Sequence, residues 1–128
     1  MSDDDDFYVY VANRMTGPPS EYLANLHEMS TVSCELMGLG FVTINPAGDF
    51  LEGLIAHVPI SAERYKAHSL ALLRLMALAP RRALLVVHSE HRDGRRSAGV
   101  HQEIEECQRL GVPIVRSIGE LCQMRDAL

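Results

Sequence analysis

The residues Ala83-Leu84-Leu85-Val86-Val87, the polar run His88-Ser89-Glu90-His91-Arg92-Asp93-Gly94-Arg95-Arg96, the segment Ser97-Ala98-Gly99-Val100-His101-Gln102-Glu103-Ile104-Glu105-Glu106-Cys107-Gln108-Arg109-Leu110-Gly111 and then Val112-Pro113-Ile114-Val115 decide the fold. The first run is apolar, β-branched and too short for a helix, so it reads as a buried strand. The polar run is a loop. From Ser97 to Leu110 the apolar residues recur at helical spacing, with serine able to start the helix and Gly111 placed to end it. Val112 to Val115 is a further strand. Strand, helix and strand in immediate succession form a crossover unit, whose two strands lie parallel in one sheet.

Outward from this unit the same alternation repeats. Phe7 to Ala12 reads as a buried strand, stopped by Asn13-Arg14-Met15-Thr16-Gly17-Pro18-Pro19, where glycine and two prolines force a loop. Ser20 reads as an N-cap, and at about 100° per residue Tyr22, Leu26, Met29, Leu36 and Met37 share one face of a helix closing near Gly38-Leu39-Gly40. Phe41 to Ile44 is a second apolar run, ended by Asn45-Pro46-Ala47-Gly48-Asp49. The stretch from there to Ile60 has no convincing period and reads as loop with one short helical turn at most. Ser61 caps a helix to about Ala79 with Tyr65, Leu72, Leu73 and Met76 inward, Pro80 closes it, and Ile118 to Met124 is a terminal helix. The expectation is a single-domain, flavodoxin-like or Rossmann-like α/β sandwich over 7–128, with a mainly parallel sheet of roughly four to five strands, behind an acidic flexible N-terminus at 1–6. In such sheets ligands bind outside the carboxyl ends of the strands, here the loops beginning at Asn13, Asn45, His88 and Arg116.

Composition narrows the function classes. A net charge of -5 over 128 residues argues against a nucleic-acid polymer as partner, since such binders carry an excess of Lys and Arg, while a small anion needs only a local basic patch. No apolar run reaches the ~20 residues of a membrane span, and the start of the chain is acidic where a secretory leader is basic, so a soluble cytoplasmic protein without membrane partners is expected. Cys34, Cys107 and Cys122 lack CxxC spacing, and His88 and His91, the only close histidine pair, lack the context of a zinc motif. No metal is expected.

The helix after the polar loop carries the most informative carboxylate. With Val100 at zero, Ile104, Cys107 and Gly111 fall within about 40°, and Glu103 lands at about 300° inside that apolar arc, while Glu105 and Glu106 fall outside it at about 140° and 240°. An inward carboxylate is costly unless it is paired or lines a cleft. Snorkelling from the helix N-terminus, or pairing with an arginine, accounts for it structurally.

Three ordered stretches resemble one family. Tyr10-Val11-Ala12-Asn13-Arg14-Met15-Thr16-Gly17-Pro18 is similar to the opening strand and loop of nucleoside 2-deoxyribosyltransferase-like proteins, a tyrosine and a small residue followed by Pro-Met-Thr-Gly. Gly40-Phe41-Val42-Thr43-Ile44-Asn45-Pro46 resembles their second strand, and Ser97-Ala98-Gly99-Val100-His101-Gln102-Glu103 with Leu110-Gly111-Val112-Pro113-Ile114 resembles their Ser-x-Gly-Ala-x-x-Glu signature and the Leu-Gly-Ile-Pro run behind it. The matches span Tyr10 to Val115.

The resemblance implies cleavage of, or transfer across, the N-glycosidic bond of a nucleoside or nucleotide, with Glu103 as nucleophile, Tyr10 orienting it or the sugar, and no metal or organic cofactor. Family members acting on nucleoside monophosphates carry serine where Ser97 stands. Ser97, the helix N-terminus behind it and Arg95 and Arg96 can hold a phosphate, although Ser97 serves equally as a plain N-cap and the arginines as a solvated pair. Ala12, Asn13, Arg14, Met15, Gly17, Asn45, Pro46, Arg96, Ser97 and Gly99 are the expected substrate-binding residues. Two aspartates of the family are missing: the one on the middle helix aligns with Ser69, next to His68, and the one before the third strand falls at Arg81-Arg82. Proton donation to the leaving base then falls to Asp93, Glu90 or His68, or else the domain is a catalytically silent nucleotide-binding module. A flavodoxin-like or signalling domain is a third reading. Relatives are dimers or larger, which implies a homo-oligomer. Leucines around the helix from Ala67 to Leu78 fit either an interface or burial on two sides within the domain.

Overall fold

In the computed structural model, which describes residues 5–128 apart from the side chain of Phe50, the elements run β1 (Tyr8–Asn13), α1 (Pro19–Gly38), β2 (Val42–Ile44), α2 (Pro46–Ala56), α3 (Ala62–Met76), β3 (Arg82–His88), α4 (Ala98–Leu110), β4 (Ile114–Val115) and α5 (Ile118–Asp126). The strands form one sheet in the order β2-β1-β3-β4, every pairing parallel. The chain is thus a flavodoxin-like, Rossmann-like α/β sandwich with four strands. Residues 1–4 of the acidic stretch expected to be flexible lie outside the described residues.

The period of two along the central strands sorts their side chains into two layers. Phe7, Val9, Val11 and Leu85 pack with Leu36 of α1 and Leu121 of α5 on one face; Tyr10, Ala12, Leu84 and Val86 pack with Leu73 and Met76 of α3 and with Val100 and Cys107 of α4 on the other. Each fully buried leucine or valine here contributes about 1.5–3 kcal/mol relative to exposure. Both edge strands are very short, which leaves little unpaired backbone for a foreign strand.

Several elements differ from the sequence reading. The stretch after Asn45 is a helix of 11 residues, α2, where a loop was expected. The Asn45 side chain accepts the Ala47 N–H at 3.1 Å, Pro46 presets the first turn, and His57 ends the helix in the left-handed conformation at φ 57°. Its outer residues explain the missing period: Leu54 and Ile55 are 57% and 79% exposed, so among the described residues the apolar side chains of its second half do not form a stripe toward the core. α1 begins one residue before Ser20 with Pro18 at the cap position and no side-chain cap, and Met37, expected inward, is exposed. α3 stops at Met76 rather than near Ala79. Leu75 and Leu78 of the middle segment remain exposed, so burial on two sides within the domain does not account for its leucines. Ser61 and Ser97 do cap α3 and α4, and Gly111 ends α4 at φ 71°.

The chain leaves β1 toward β2 on one side, while β3 docks on the other, so the strand order reverses between β1 and β3. A crevice opens at their carboxyl ends. The loop at Arg116 follows the far edge strand and does not line it. Among the described residues no helix is long and apolar enough to cross a membrane.

Candidate functional site

Tyr10 sits in the middle of β1, paired with Ile44 of β2 and Leu84 of β3, and is completely buried. Its side chain points to the α3 and α4 face, where a cleft of about 470 Å³ is lined by Tyr10, Ser69 of α3 and Glu103 of α4. Tyr10 Oη has no partner of full hydrogen-bond geometry, but it feels the Glu103 carboxyl and the Ser69 hydroxyl. Burial first, and then the negative charge of Glu103, hold the phenol well above its ordinary value, so it stays protonated and can donate.

Glu103 reaches the cleft because Ser97 starts α4 where it does: the Ser97 hydroxyl accepts the Val100 N–H at 3.5 Å, and the next turn brings residue 103 over β1. Its side chain keeps partial exposure toward the cleft, but protein atoms crowd the carboxyl. Burial pushes it up to about 7, with the polar contact to Tyr10 pulling the other way. The result is a carboxyl that exchanges its proton near neutrality, a common property of acids and bases in working sites.

The floor of the cleft is braced from the α1 side. The register slips between Ala12 and Asn13, and this irregularity re-aims the end of β1. Asn13 Nδ2 donates to Glu28 Oε1 at 3.1 Å, and Glu28 Oε2 meets His88 Nε2 at 3.0 Å, so one carboxylate of α1 ties the ends of β1 and β3 together. Asn13 Oδ1 is buried without a partner. Among the described residues the buried side-chain atoms with none are Tyr10 Oη, Asn13 Oδ1 and Arg82 Nε, and the first two belong to residues of this cleft. Buried polar atoms are normally satisfied, so these two leave unused hydrogen-bonding capacity at the cleft.

Part of the lining is cationic. Arg95 and Arg96 line the cleft together with Ser97, Gly99 and the start of α4, whose free N–H groups favour anions, and Lys66 of α3 lines it as well. Arg96 Nε donates to His101 Nε2 at 3.1 Å, and Arg95 Nε to Asp93 Oδ2 at 2.7 Å. Backbone and side-chain hydrogen bonds from Arg95 hold the exposed Asp93 carboxyl below its usual range. A carboxylate kept ionised this way is a poor proton donor, and Asp93 lies outside the cleft lining, contrary to its expected catalytic place.

No family model, no curated protein and no solved structure matches this chain.

Of the residues singled out from sequence, the fold brings Tyr10, Asn13, Met15, Pro46, Ser69, Arg96, Ser97, Gly99 and Glu103 around one cleft. Ala12, Arg14, Gly17 and Asn45 do not line it. Ala12 is core, Arg14 donates to the Glu90 carbonyl at 3.1 Å, Gly17 faces Glu21, and Asn45 spends its side chain on capping α2. Tyr22, Tyr65, Lys66, His91 and Gln102 also line the cleft and were not expected there. Only the inward phases of Tyr22 and Tyr65 on their helices hinted at this. Among the described residues no three His, Cys, Asp or Glu side chains gather closely enough to hold a metal ion.

Proposed function

We propose that this protein cleaves, or transfers across, the N-glycosidic bond of a 2'-deoxynucleoside 5'-monophosphate, with Glu103 as the nucleophile. The observation that carries the reading is the buried Glu103 carboxyl beside the unsatisfied Tyr10 phenol, in a cleft also lined by Arg95, Arg96 and Ser97 at a helix N-terminus. The resemblance of three motif stretches to nucleoside 2-deoxyribosyltransferase-like proteins supports it.

In this reading the Glu103 carboxylate attacks the anomeric carbon as the bond from that carbon to the base nitrogen breaks. The base leaves with the bonding electron pair and takes up a proton from water, and a glycosyl ester on Glu103 forms through an oxocarbenium-like transition state. Water resolves the ester in hydrolysis, and a second base does so in transfer. Tyr10 donates to the carboxylate or to a sugar oxygen, and the cationic part of the lining takes the phosphate. Exposed Leu75 and Leu78 fit an interface in a homo-oligomer.

A silent nucleotide-binding module is the second reading. It is favoured by the α3 position facing Glu103, which carries Ser69 rather than an acid, and by Glu103 being the only carboxylate lining the cleft among the described residues.

The deciding experiment incubates purified protein with deoxynucleosides and their 5'-monophosphates and follows released base by chromatography. Release from monophosphates alone, lost in Glu103→Ala, is the expected outcome. Full activity of that variant refutes the nucleophile, and tight binding without release selects the silent module.

A further inference from the structure

Tyr22 of α1 and Tyr65 of α3 come from helices on opposite faces of the sheet, yet both line the cleft that holds Glu103. The Tyr65 ring also borders a second depression of about 420 Å³ between α2 and α3, so it is the partition between two hollows. Its position depends on Gly53 of α2. A Cβ at residue 53 would lie 2.1 Å from Tyr65 Oη and 3.4 Å from Cζ, far inside contact distance. Glycine costs a helix interior about 1 kcal/mol relative to alanine, and no positive φ is recorded at Gly53 to require it. Gly53 leaves room for the hydroxyl end of the Tyr65 ring, which a larger residue there would force to shift.

The two tyrosines share one neighbourhood: burial and then the adjacent Tyr65 raise Tyr22 above its ordinary value. Tyr22 packs with Met15 and Met29 in one apolar cluster, so the cleft has an apolar part around Tyr22, while Arg95, Arg96 and Ser97 add a cationic part to its lining. A cleft with an aromatic, apolar part and a cationic part matches a molecule that is flat and uncharged at one end and anionic at the other.

We infer that Tyr22 and Tyr65 clamp the flat heteroaromatic ring of a nucleobase, with Gly53 as the notch that sets the Tyr65 ring. The inference rests on the reading of the cleft as a nucleotide site and adds how the base is held. Stacking on aromatic faces accepts any base, because every base offers a π-face. The clamp therefore selects for the presence of a base and tolerates both purines and pyrimidines.

The chain has no tryptophan and four tyrosines, so its intrinsic emission reports directly on bases stacking against tyrosine. The test titrates the Glu103→Gln protein, in which no substrate is consumed, with deoxyadenosine 5'-monophosphate, deoxycytidine 5'-monophosphate and 2-deoxyribose 5-phosphate. The two nucleotides are expected to bind and quench, and the baseless sugar phosphate to bind without quenching. Tyr22→Leu and Tyr65→Leu each weaken nucleotide binding about 5- to 100-fold and leave the sugar phosphate unchanged, while Tyr65→Phe keeps nucleotide affinity. Gly53→Ala, which favours the helix, lowers nucleotide affinity without loss of helical circular dichroism, so the clamp is testable even where a leucine variant misfolds. Unchanged nucleotide affinity in Tyr65→Leu and Gly53→Ala overturns the clamp while the nucleotide site stands. A protein that binds none of the three probes overturns the site and the clamp together.

Discussion

Replacing Glu103 by glutamine keeps the shape of the side chain and removes only its acid. In the folded chain burial lifts this carboxyl from 4.5 to about 7, so folding tightens its hold on a proton. Below pH 4.5 folded and unfolded chains both carry the proton and the acid costs little. Between pH 4.5 and about 7 the unfolded chain releases its proton while the folded chain retains it, so wild-type stability falls as pH rises. Above about 7 the loss is complete. At about 1.4 kcal/mol for each tenfold change in proton affinity, the loss amounts to about 3 kcal/mol. Glu106 does not confound the measurement: Arg109 and then Arg74 hold its carboxyl at about 2, so its contribution changes only on the acid side of 4.5. Glu103→Gln is therefore expected to match wild type near the acid end of this window. At alkaline pH it should exceed wild type by about 3 kcal/mol, a rise of about 10 °C in Tm for a domain of this size. Urea unfolding followed by circular dichroism across the window measures both curves. A difference between variant and wild type that does not change with pH would refute the reasoning, because it would mean that Glu103 titrates alike in both states.

Tyr10→Phe removes a buried hydroxyl that has no well-formed hydrogen bond, so stability is expected to hold or rise by up to about 1 kcal/mol in denaturant titrations while base release falls. A clear loss of stability would show that the hydroxyl is satisfied in the fold. Alanine at Arg95 and Arg96 together should raise KM for monophosphates at least about tenfold and leave deoxynucleosides unaffected, since charge-assisted contacts to phosphate contribute roughly 1.5–3 kcal/mol. Equal effects on both substrates would place the phosphate elsewhere.

The layered fold was readable because its central strands and most of its helices obey simple periods. The apolar run at residues 83–87 could hardly be anything but a central strand, and the arc through Val100, Ile104 and Cys107 turned Glu103 toward the sheet, where its carboxyl is crowded by protein atoms. α2 was illegible because Leu54 and Ile55 face outward, so the periodicity that reveals a buried face was missing. The start of α1 was misread because two prolines set its first turn without any side-chain cap. Tyr22 and Tyr65 lie on inward helical arcs, and an arc gives the same signal for a residue in the core as for one at a cleft. Asp93 was misplaced for a different reason: a polar loop offers many partners, and only coordinates reveal that Arg95, two residues on, takes this carboxylate.

The central strand β1 has two duties at once. It is flanked by β2 and β3, its residues from Val9 to Ala12 are among the most buried in the molecule, and the same strand presents Tyr10 and Asn13 to the cleft. Drift at these positions is penalised twice, once in folding and once in whatever the cleft binds. The more exposed contributors from α3 and from the loop before α4, Lys66, Arg95 and Arg96 among them, can be exchanged at little cost to the core. Change in what the cleft holds is therefore expected at its rim, with the strand beneath it constrained.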